Sequence, residues 1–118
     1  MVTAWMVGSV GKILVAAMTF RSEKIRRAVA AMPCAYCGRE GRSQAAHSNL
    51  SSHGKCMGKK ASDAAIFPLC ADELGMHGCH YMFDQHKLFP SKAAEFEGTY
   101  RFIAQTLIKL IESGELKV

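Results

Sequence analysis

Cys34 and Cys37 stand in the stretch CAYCG, where a tight turn can present two thiolates to one ion. Cys70 and Cys79 offer a second pair, separated by the eight residues ADELGMHG. Four such ligands suit a structural zinc site, with His77 as the alternative to Cys79 for the fourth position. Cys56, the fifth cysteine, has no partner at ligand spacing. An odd count argues against a fully paired disulfide framework and for metal binding in a reducing compartment.

A second group of residues has a different chemistry. His80 and Asp84 are four apart, which on a helix sets them on one face about 5–6 Å apart at Cβ. An imidazole and a carboxylate so placed can hold one divalent ion and leave positions open for phosphate and water. His47 opens a long loop, SNLSSHGKCMGKKASD, that has neither helical nor strand periodicity; loops of that length in compact domains usually serve a function. Phosphodiester hydrolysis needs a base, a metal and basic groups that hold the backbone. His47 fits the base, His80 and Asp84 the metal ligands, and Lys55, Lys59 and Lys60 the phosphate grip, with Arg42 beside the backbone. Taken singly, each has a plainer reading: a surface hydrogen bond for the His-Asp pair, a solvated face for the lysines.

Those side chains need elements to carry them. SEKIRRAVAAM reads as a helix with Ser22 as N-cap, stopped by Pro33. RSQAAH is a short strand ending at His47, and AAIFPLC a second one in which Pro68 marks an edge or a strand end. CHYMFDQHKLF should be helical up to Pro90. The clearest helix spans about 91–113, capped by Ser91 and closed by Gly114. Its stripe of Ala93, Phe96, Tyr100, Ile103, Leu107 and Leu110 is expected to pack in the core or across a homodimer.

At 118 residues the chain is one domain with a modest core. Its net charge of +5 is unevenly spread. Residues 21–60 carry nine Lys and Arg against Glu23 and Glu40, net +7, whereas residues 61–118 carry five against eight acids, net −3. One basic half fits a polyanion partner on one side. Residues 1–20 are apolar but interrupted by Gly8, Gly11 and Lys12, short of the roughly 20 apolar residues of a membrane span. We read them as an extension, either upstream of a natural start at Met18 or as an added helix, ahead of a functional domain over 21–118; a cleaved export signal is the third reading.

Taken in order, AH, then HGKCMGKKASD, then PLC, CH and D resemble the HNH, or His-Me finger, nucleases over about Pro33–Gln85. More narrowly they are similar to small phage and prophage nucleases of the YbcO type. The resemblance implies an α+β fold with a zinc-braced ββα-metal core: two antiparallel strands and a helix around a divalent ion, flanked here by N- and C-terminal helices. It implies a metal-dependent endonuclease acting on DNA, or on RNA, in the cytoplasm of a bacterial host, in phage recombination or DNA processing. His47 takes the place of the water-activating histidine, His80 and Asp84 those of the ligands for Mg²⁺ or another divalent metal, and Asp63 that of a residue orienting His47. Two departures stand out. Ala46 occupies a position where many of these enzymes carry an acidic or histidine ligand, and Cys70 and Cys79 are more widely spaced than the usual Cys-x-x-Cys-His. The alternative is a non-catalytic zinc-containing module that binds nucleic acid.

Overall fold

The computed structural model describes residues 19–56 and 58–117, so the N-terminal extension lies outside the described residues except for Thr19 and Phe20. Helix α1 spans Glu23–Ala30, and the Ser22 hydroxyl accepts the Ile25 N–H, satisfying one of the orphan donors of the first turn. Its Ile25 and Val29 are buried. Strand β1, Ser43–His47, pairs antiparallel with β2, Ile66–Cys70, and His47 stands opposite Ile66. Helix α2 is Cys79–Asp84 and helix α3 is Lys92–Glu112. The described residues form a small α+β fold with three α-helices and a two-stranded sheet.

Local chemistry trims the expected boundaries. Strand β2 starts at Ile66 because Ala64 and Ala65 give their N–H groups to the Ser62 hydroxyl and carbonyl in a turn. Pro68 sits in mid-strand opposite Ala45. Its carbonyl points away from β1 and accepts the Ala35 N–H at 2.8 Å, so the donor that proline lacks would have faced the outer edge. Helix α2 ends at Asp84, well short of Pro90, where His86 turns left-handed at φ 59° and its ring meets Glu95.

Every residue of β2 is buried, and the strand feeds two packed groups. Phe67, Leu69 and Cys70 pack with Ala46, Phe83 and Phe102; Ile66 packs with Ile25, Val29 and Leu110. The last helix therefore serves both groups along its length. Its buried face is Gly98, Thr99, Phe102, Thr106 and Leu110, so of the expected stripe Leu110 is core, with Ile103 and Leu107 packed against it. Phe96 and Tyr100 are 51% and 44% exposed, while Ile103 and Leu107 are only partly covered. Thr99 hides its hydroxyl by donating to the Glu95 carbonyl at 2.8 Å, and Gly98 leaves room for the ring of Phe89. No helix among the described residues is long and apolar enough to cross a membrane.

Candidate functional site

Four cysteine sulfurs converge at the end of β2. The Sγ atoms of Cys34, Cys37, Cys70 and Cys79 all lie within 4.8 Å of one another, and those of Cys37 and Cys70 are 3.8 Å apart. Tetrahedral zinc with Zn–S bonds of about 2.3 Å sets its sulfurs roughly 3.8 Å apart, so the cage has the right size. Backbone N–H groups already point at sulfur: Cys37 N lies 3.5 Å from Cys34 Sγ and Cys79 N lies 3.3 Å from Cys70 Sγ. Burial opposes ionisation of Cys34, yet the N–H groups of Cys37, Cys70 and Tyr36 outweigh it and bring its pKa down to about 7. Burial, then the neighbouring Cys70 and Cys34 sulfurs, push Cys79 far up. Four thiols this close cannot all shed protons without a cation among them, and a divalent ion such as zinc meets that need.

The wide gap between Cys70 and Cys79 folds into a tight hairpin. Glu73 and Met76 bridge each other across Leu74 and Gly75, whose φ angles are 49° and 78°. The Asp72 carboxylate accepts the Gly78 N–H at 2.7 Å and closes the base of the hairpin. His77, the alternative ligand, stays outside the cage, stacked on Tyr81 at 3.7 Å and paired with Asp72.

His47, at the end of β1, meets Asp63 across the mouth of the loop. Its Nε2 lies 2.7 Å from Asp63 Oδ1, and the carboxylate is almost wholly buried, 1% exposed. Burial works against the Asp63 anion. The Ser22 N–H at 2.7 Å, the His47 ring and the Arg26 guanidinium outweigh it and hold Asp63 below the usual carboxylate range. An ionised Asp63 accepts from Nε2–H, which fixes the tautomer and leaves the ring's lone pair on Nδ1. Burial lowers the His47 pKa, against the raising effect of Asp63, so the ring is neutral at neutral pH.

His47 lines a cleft of about 320 Å³ together with Ser48, Asn49, Lys55, Lys60, His80 and Asp84. His80 and Asp84 sit one turn apart on α2, with Nε2 and Oδ2 separated by 3.5 Å. Gln44 of β1 holds His80 from the other side, its Oε1 2.8 Å from Nδ1. With Nδ1–H donated to Gln44, the Nε2 lone pair is left beside the Asp84 carboxylate, an imidazole and an oxygen ligand for one divalent ion.

The remaining sequence candidates divide. Lys55 and Lys60 are on the cleft wall, whereas Lys59 lies outside its lining, in a turn where its backbone bridges Cys56. Arg42 is engaged elsewhere, giving Nη2 to the Asp72 carbonyl at 2.8 Å and pairing with Glu73 at 3.4 Å, so it braces the hairpin. Cys56 is exposed and apart from the cysteine cage. Ala46 is fully buried in the core and offers nothing to a metal.

Sequence reasoning did not single out Gln44, Arg21 or Arg26. Arg21 clamps the end of the loop, giving one N–H to the Lys60 carbonyl at 2.7 Å and others to the Ala61 carbonyl and to Asp63. The residue types are common and their partners lie 36 to 42 positions away, so no local signal marks them. Comparison with protein-family models, with curated proteins and with solved structures finds no match for this chain.

Proposed function

We propose that this chain is a metal-dependent endonuclease with an HNH-like ββα-metal core, hydrolysing phosphodiester bonds of DNA. One observation carries the reading: a half-buried His47, held by the buried Asp63 carboxylate, opens on the same cleft as the His80–Asp84 pair and two lysines. Each group has a separate task. Lys55 and Lys60 hold the phosphate backbone by charge. His47 takes a proton from water at Nδ1, and Asp63 stabilises the imidazolium that forms. His80 and Asp84 would hold a divalent cation such as Mg²⁺, which when bound stabilises charge on the phosphoryl oxygens and the leaving group. The four cysteines would hold zinc as a brace for the end of β2 and the start of α2, and so set where His80 stands.

The test is plasmid nicking by the zinc-loaded protein with and without added Mg²⁺ or Mn²⁺, with His47→Ala and Asp84→Ala alongside. Metal-dependent nicking lost in both variants is the expected result. Wild-type protein that is folded, binds DNA and remains inert under all conditions would overturn it. The buried Ala46, which leaves the ion only two protein ligands, favours a second reading in that event: a zinc-containing module that binds nucleic acid without cutting it.

A further inference from the structure

Two large residues of the expected stripe on α3, Phe96 and Tyr100, lie outside the core. Phe96 and Tyr100, on successive turns, are 51% and 44% exposed, and their rings meet edge to face at 5.3 Å. Single exposed apolar side chains are ordinary, but this pair is continuous with the cleft. Tyr100 meets the ring of His53 edge to face at 5.3 Å, and His53 Nδ1 lies 2.7 Å from the hydroxyl of Ser48, a residue of the cleft wall. Three aromatic rings thus run from the cleft out along the helix. Positive charge flanks both ends of the row: exposed Lys55 two residues beyond His53, and exposed Lys92 one turn before Phe96 on the same helix face.

Two exposed rings and the half-buried ring of His53, bordered by lysines and leading from a cleft lined by Lys55 and Lys60, have the chemistry of a stacking platform. Every base has a π-face, so such a row accepts unpaired nucleotides whatever their sequence, while the lysines hold the phosphates between them. A paired duplex keeps its bases stacked on one another and has no free face to offer. We propose that Phe96, Tyr100 and His53 form a binding site for unpaired nucleotide bases next to the cleft, so that the preferred substrate is single-stranded or carries a single-stranded arm. The proposal rests on the nuclease reading only for the direction of the strand; binding itself needs no cleavage.

The experiment measures binding of full-length, zinc-loaded protein in the His47→Ala background, by fluorescence anisotropy with a labelled mixed-sequence single strand and with the matching blunt duplex. Phe96→Ala combined with Tyr100→Ala should weaken single-strand binding by at least about tenfold and change duplex binding less than about twofold, and Tyr100→Trp should keep single-strand binding near the parent level. Both side chains are about half exposed and outside the core, so the fold should survive, which circular dichroism checks. Equal loss on both ligands, or no loss on either, would overturn the proposal. So would sedimentation showing that the parent is a dimer which the double substitution splits, since the row would then be a contact between two copies. Nicking by the wild type reports separately on His47: nicking with no single-strand preference sinks only the stacking site, and absence of any nucleic-acid binding sinks both readings.

Discussion

At the scale of single residues, Asp63 carries the most consequence. It joins His47, the N-terminus of α1 through Ser22, and two arginines in one buried carboxylate. Its folded-state pKa is depressed, so its contribution to stability is present above about pH 4 and is lost as pH falls through that lower value. His47 titrates in the other register. The ring works as a base only when neutral, and burial holds its pKa below about 6.5, so nicking should be level through neutral pH and fall only below that value. Asp63 acts to raise the His47 pKa; in Asp63→Asn the acidic limb of the pH–rate profile should therefore move further down, while the plateau rate drops by roughly 10²-fold. A limb that stays in place with a lowered rate would mean that Asp63 only holds the fold. His80 depends in the same way on Gln44, and Gln44→Ala should weaken binding of Mn²⁺ to the cleft by about tenfold or more, measured by paramagnetic line broadening, with the zinc content unchanged.

At the scale of elements, the tight packing at Gly78 governs the site. A Cβ added to Gly78 would come within 2.3 Å of the Cys70 carbonyl oxygen and 2.4 Å of that of Ala71. The start of α2 is thus pressed against the end of β2, which brings Cys79 to the cysteine cage and His80 to Gln44 at once. Gly78→Ala should force these apart and destabilise the protein by about 1–3 kcal/mol, read as a lowered denaturation midpoint with an unchanged slope. Much of this architecture was legible in the residues themselves. The strand ends at His47 and Cys70, the Ser22 and Ser91 caps, and the four cysteines follow from local spacing and local hydrogen bonding. The rotation of α3 was not. Its buried face includes Gly98, Thr99 and Thr106, which read as polar or neutral, while the large apolar Phe96 and Tyr100 point outward. Hydropathy ranks side chains by transfer to oil; here Phe89 needed space more than it needed another ring, and glycine gave it.

At the scale of the whole molecule, charge is divided between the two halves of the chain. The basic half runs through the loop whose lysines reach the cleft, and the acidic half includes all of α3, whose own charges balance. Affinity for DNA should therefore fall steeply with salt, and Lys55→Ala with Lys60→Ala should flatten the slope of log affinity against log salt by about two contacts. The four cysteines tie three separate stretches of chain at one point, and the hairpin between Cys70 and Cys79 leaves that point and returns to it with Leu74 94% exposed at its tip. A protease recognition sequence inserted at that tip could be cut without cutting the molecule in two. The first fragment would keep three of the sulfurs and the second one, so the metal would act as a removable rivet. The fragments should elute together from a sizing column while zinc is bound, with further adhesion from α3 against β2, and separate once a chelator and mild denaturant are added.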